Sequence, residues 1–207
     1  GDSAVVDYIL NIVNGNKITL SGAGAAFYAP TSANQALTSF TVLNQSNFTG
    51  SAISAAGNYV LMSDIDLSGS TFLKAYFDVK YTGKFHGLGH KISNLYINLL
   101  SGGSVGLFKE LDSGSTVRDL GLDNFILQVS AAGNVAAPVY VRAGAIAGAI
   151  ADANSSSIYL TGLWSTGLIY AKSNSYLDEL SAGGLVGLQY GNHVVLWKSY
   201  STVSIDN

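Results

Sequence analysis

In 207 residues this chain holds 48% hydrophobic but only 11% charged residues, with 24 glycines against 2 prolines, which excludes a disordered or proline-rich linker. A net charge of −3, with ten scattered Lys and Arg, excludes a basic platform for nucleic acid or anionic lipid. The lack of cysteine excludes disulfides, thiolate metal ligation and a cysteine nucleophile.

Gly1-Asp2-Ser3 has neither the basic start nor the apolar run of an export signal, and Ser204-Ile205-Asp206-Asn207 forms no natural stop. The expectation is a fragment of a longer protein, exported by a signal outside it. Lys17-Ile18-Thr19-Leu20 and Ser39-Phe40-Thr41-Val42-Leu43 read as strands, and Gly22-Ala23-Gly24-Ala25 as a loop. Gln35 to Phe40 reads as a short turn of helix. An irregular N-terminal β region is expected over residues 1–57, part of the same solenoid as the rest of the chain, whether as irregular coils, a small insertion or a protective edge for the array.

From Asn58 the alternation sharpens. Tyr59, Leu61, Ile65 and Leu67 share one strand face, and Asp64 and Asp66 the other. Ser70 to Lys84 is a longer excursion rich in aromatic residues. Loops on a rigid scaffold often carry function, so Tyr76, Phe77, Lys80 and Tyr81 are the candidate ligand-binding residues. Phe85-His86-Gly87-Leu88-Gly89-His90-Lys91-Ile92 then alternates strand and turn. Val135 to Ala151, broken by Pro138 and Arg142, is too short and interrupted to span a bilayer. It reads as buried strand with turn glycines.

Three glycine cores repeat: Val105-Gly106-Leu107-Phe108, Ala147-Gly148-Ala149-Ile150 and Val186-Gly187-Leu188-Gln189. Their steps are 42 and 39 residues (148 − 106 and 187 − 148), and each unit has a second strand about a dozen residues on. Two strand clusters per period of about 40 predict two stacked coils of roughly 20 residues each, with glycine at the corners. The fold class is all-β.

Asn58-Tyr59-Val60-Leu61 through Ser68-Gly69, Phe85 through Leu95, and Gly184-Leu185-Val186-Gly187-Leu188 resemble the GLUG repeat, over roughly two-thirds of the chain. The resemblance implies a right-handed parallel β-helix (solenoid) over residues 58–207. It also implies a place at the bacterial cell surface. Such repeats occur on large secreted proteins, among them filamentous-haemagglutinin-like adhesins of two-partner secretion and some surface-anchored peptidases. Ala147-Gly148-Ala149-Ile150 is a weak copy, and residues 1 to 50 have no counterpart in the repeat.

Few side chains suggest chemistry. His86 and His90 are four apart, but Gly87-Leu88-Gly89 between them opposes the helix that would join two imidazoles on one metal. Asp64 and Asp66 would stand about 7 Å apart on one strand face. They are the weak metal candidates, and turn hydrogen bonding explains them as well. Gly102-Gly103-Ser104-Val105-Gly106 spells G-x-S-x-G without the following helix that exposes a nucleophile. His193 reads as a turn cap. Asn44, Asn47 and Asn154 begin N-glycosylation sequons by pattern.

The function expected is therefore a segment of a bacterial adhesin, secreted or surface-displayed, that binds a host-cell or matrix glycan or protein, or associates with itself, without catalysis or cofactor. A passive stalk is the first alternative. An enzyme acting on polysaccharide through Asp64, Asp66, Asp78 and Lys80 is the second.

Overall fold

The computed structural model describes residues 9–12, 17–21, 40–131, 139–151, 156–173, 177–190 and 193–206. The protein is all-β, and no helix occurs among the described residues. The helical turn expected over 35–40 falls outside them except for Phe40, which begins a strand. First come β1 (Ile9–Ile12), β2 (Lys17–Ser21), β3 (Phe40–Leu43), β4 (Tyr59–Leu61) and β5 (Ile65–Asp66). β6 (Phe77–Tyr81), β7 (Lys84–His86), β8 (Lys91–Ser93) and β9 (Tyr96–Leu99) follow. Then come β10 (Gly103–Val105), β11 (Phe108–Leu111), β12 (Thr116–Ala131), β13 (Val139–Gly144), β14 (Ala147–Ile150) and β15 (Ile158–Ser173). The last are β16 (Leu177–Gly183), β17 (Val186–Gln189), β18 (Val194–Trp197) and β19 (Tyr200–Asp206).

These strands form three sheets. A long sheet has twelve strands, a second has three (β10, β13, β16) and a third has four (β6, β11, β14, β17). After β9 the chain cycles in fixed order: off the long sheet, onto the three-stranded one, across to the four-stranded one, and back. Among the described residues every pairing from β3 onward is parallel, and only β1 with β2 and β2 with β3 run antiparallel. Parallel pairing therefore already includes β3, ahead of the expected boundary at residue 58.

One round of the three sheets corresponds to one sequence period, which corrects the expectation of two coils per period. Phe108 pairs with Ala147 and Ala147 with Val186, two equal steps along the chain, each as long as a whole repeat unit. The two strand clusters in each unit lie on different sheets of one round, not on successive rounds. Aligning the three glycine cores also mixes two kinds of position. Gly106 sits at a two-residue corner whose later counterparts are Ala145-Ile146 and Gly184-Leu185, whereas Gly148 and Gly187 lie inside strands of the four-stranded sheet. At Gly148 the backbone comes so close to the Val105 nitrogen of β10 that a Cβ has no room.

Inward side chains stack by register. Phe85, Val117 and Leu160 form one column and Ile97, Leu127 and Ile169 another, all buried. The bulkiest part of the core is a ring cluster: Phe108 lies 5.3 Å from Phe77, 4.9 Å from Tyr81 and 5.5 Å from Phe85, centroid to centroid. Burying each such side chain contributes about 1.5–3 kcal/mol.

Left-handed residues bend the long sheet at aligned places. Asp119 (φ 52°), Gly162 (φ 65°) and Lys198 (φ 49°) occupy equivalent positions in successive rounds, as do Asn94 (φ 60°) and Asn124 (φ 53°). Asn and Asp tolerate this conformation because their short polar side chains bond locally. The bends divide the face of the long sheet into short straight runs, and β12 pairs with β7, β8 and β9 in turn.

Candidate functional site

The site begins with a three-strand register on the long sheet. Ile65 pairs with Ile92, and Ile92 with Leu122; all three are buried. Alternation turns their neighbours outward, so Asp66, Ser93 and Asp123 form one outer column, and Lys91 stands beside them. The chain then bends through Asn94 and Asn124 in the left-handed conformation. That bend makes a trough of about 460 Å³ lined by Gln45, Asp64, Asp66, Lys91, Ser93, Asn94, Asp123 and Asn124. A second trough of about 430 Å³ adjoins it across the two asparagines, lined by Ser68, Ser70, Thr71, Tyr96 and Ile126 among others.

Hydrogen bonds hold this surface in place. Gln45 completes the outer edge of β5 like a missing strand: its Nε2 donates to the Asp66 carbonyl at 2.9 Å, and its Oε1 accepts from the Asp66 N–H at 2.7 Å. Asn124 Nδ2 donates to Asn94 Oδ1, and Asn94 Nδ2 to Asp66 Oδ1, both at 2.8 Å. Lys91 Nζ lies 2.8 Å from Asp123 Oδ2, while Thr166 Oγ1 donates to Asp123 Oδ1 at 2.8 Å and accepts from the Asn124 N–H at 3.0 Å. The charges reinforce one another. The Asn94 amide and the Ser68 N–H and hydroxyl hold the Asp66 carboxyl below its ordinary pKa, and the Lys91 N–H and His90 do so for Asp64. Lys91 and Thr166 lower Asp123, and Asp123 in turn raises Lys91.

Asp64 and Asp66 are thus each engaged by a separate set of donors. Among the described residues no group of three or more His, Cys, Asp or Glu side chains gathers to hold a metal ion. The histidines do not converge either. His90 Nδ1 lies 3.0 Å from Asp64, whereas His86 packs against Phe40 at 4.8 Å between centroids. Burial lowers the pKa of His86 to about 4.

The aromatic candidates of the excursion belong to the core. Phe77 and Tyr81 are fully buried and Tyr76 is 4% exposed. For Phe77 and Tyr81 the reason is that β6 is a strand of the four-stranded sheet and not a loop, so alternate residues face inward; Tyr76, just ahead of β6, packs against Phe48 and Phe72. The Tyr76 hydroxyl donates to the Phe48 carbonyl at 2.9 Å and that of Tyr81 to the Gly57 carbonyl at 2.9 Å. A buried ring has no face to offer a ligand. Lys80 alone of the four meets solvent, and it bridges Glu110 and Asp112 at 3.2 Å each. Asp78 and Lys80 stand on the four-stranded sheet and Asp64 and Asp66 on the long one, so the four do not form one catalytic cluster. Ser104 of the G-x-S-x-G stretch is buried within β10.

Sequence reasoning passes over Lys91, Asn94, Asp123 and Asn124. A signal is present, since Asn94-x-Tyr96 and Asn124-x-Ile126 occupy equivalent places, but their separation is shorter than the glycine period. It also passes over Arg142, whose guanidinium lies 4.2 Å from the Tyr140 ring and 4.9 Å from that of Tyr190. Glu179 holds that guanidinium with two bonds of 2.7 and 3.1 Å, which ties β13 to β16. Comparison with protein-family models, curated proteins and solved structures finds no match to this chain.

Proposed function

We propose that the chain is a length of right-handed parallel β-helix, of the kind the GLUG repeat implies, from a large bacterial adhesin at the cell surface. It binds an extracellular host or matrix ligand through the twin troughs of the long sheet, without catalysis and without a cofactor. Cyclic parallel pairing supports the solenoid, and the strong right-handed bias of parallel crossovers (about 98%) supports its hand. The observation that carries the binding reading is the set of hydrogen-bonded Asp, Asn and Lys side chains around an open trough, fixed before any ligand arrives. Prior ordering lowers the entropic cost of association.

The test is binding of the labelled chain to host-cell and matrix preparations, beside Asn124→Gly. That substitution removes the amide while keeping a residue suited to positive φ. Saturable binding that the substitution weakens supports the reading. No saturable binding on any preparation would leave a stalk that holds other domains away from the cell.

A further inference from the structure

We infer that the twin troughs take an uncharged oligosaccharide at least two rings long, one ring in each trough. This rests on the binding reading above and names the ligand class. Each trough, about 460 and 430 Å³, falls in the range of roughly 300–1,000 Å³ typical of small-ligand sites.

The lining matches a sugar on both of its surfaces. A pyranose ring has apolar C–H faces and a rim of hydroxyl groups that both donate and accept. The second trough offers Tyr96 and the partly exposed Ile126 beside the hydroxyl-bearing Ser68, Ser70 and Thr71, and holds no carboxylate, ammonium or guanidinium. The first offers amide, hydroxyl and carboxylate groups. Ser93 Oγ and Asn124 Oδ1 line it with no protein partner among the described residues.

Charge selects among sugars. Asp64, Asp66 and Asp123 face one ammonium, Lys91, so a uronate, sulfate or sialate meets repulsion. A peptide added as an extra strand has no place to pair, because β8 and β12 are paired on both sides and the Gln45 side chain already takes up the Asp66 N–H and carbonyl on the outer edge of β5.

The experiment is isothermal titration of the full chain with cellotetraose, mannotetraose, maltotetraose and tetragalacturonate. Variants are Ser93→Ala, Asn124→Gly and, on the exposed aromatic end of the long sheet, Trp197→Ala, each checked for folding by far-UV circular dichroism. Expected is saturable binding of at least one neutral tetrasaccharide, weakened about tenfold or more by Ser93→Ala or Asn124→Gly and unchanged by Trp197→Ala. Tetragalacturonate is expected to bind at least about tenfold more weakly. Loss in Trp197→Ala with the trough variants unaffected would move the site elsewhere. Equal or tighter binding of tetragalacturonate would overturn the charge argument. Silence toward all four sugars, with binding to host preparations retained, would refute the ligand class and leave the binding reading standing. Silence toward both would remove the two together.

Discussion

Phe108→Ala removes the ring at the centre of the core cluster. Phe108 is fully buried, stands in register with Phe77 and Ala147, and meets the rings of Phe77, Tyr81 and Phe85 at 4.9 to 5.5 Å. A buried Phe→Ala change costs about 3–5 kcal/mol in lost transfer energy and residual cavity. Three aromatic partners, and strands fixed on both sides by parallel pairing, place this site toward the middle or top of that range, about 4 kcal/mol. For a chain of this size that corresponds to a fall in Tm of roughly 8–16 °C. Denaturant unfolding followed by far-UV circular dichroism reads it, because the strands themselves are the signal. Leu73→Ala, at a side chain 69% exposed, should shift stability by no more than about 0.5 kcal/mol. A Phe108→Ala loss below about 1 kcal/mol would refute the stacked-core reasoning. An altered m-value would mean that the rounds unfold separately instead of together.

Two further outcomes rest on the same packing. His86 has a pKa lowered to about 4 by burial, so the unfolded chain binds more protons than the folded one between about pH 4 and 6.5. Its stabilising effect is full above pH 6.5 and fades as pH falls toward 4. The loss is on the order of 2 kcal/mol, and urea midpoints at pH 7 and 4.5 should differ less in His86→Phe. Gly148→Ala places a methyl group against the backbone of Val105 and Ser104, which cannot swing aside as a side chain would. Thermal melts should show about 2 kcal/mol lost, and no loss would mean the two sheets lie farther apart than described.

Local features of this fold are legible in the chain, and distances along it are not. The alternation of Tyr59, Leu61 and Ile65 marks inward positions because a strand has a period of two wherever it lies. Stacking partners, by contrast, lie at unequal separations. The step from Thr41 to Tyr59 is shorter than that from Lys84 to Thr116, which is shorter again than that from Thr116 to Tyr159. No single period aligns the whole chain, and where two steps are equal the glycines mislead: the pattern of residues pairs Gly106 with Gly148, which lies inside a strand, when its counterpart at the corner is Ala145. The same uncertainty hides the trough. Asn94 and Asn124 become neighbours only once the register is known. The Ser70 to Lys84 excursion reads as a loop because the partner of its strand, at Phe108, comes only after four intervening strands.

The unequal rounds of the long sheet also bear on how such a chain avoids going wrong. In an array of equal units, a strand can dock one place early or late and still find a complementary neighbour. Here a unit displaced by one place on the long sheet would meet a partner whose connecting arcs are too long or too short. Its inward positions would also face the wrong sizes beyond Phe108, because the column runs Phe77, Phe108, Ala147 and Val186. Irregular length thus acts as an address for each round, and it disfavours the slipped and swapped pairings to which uniform repeats are prone.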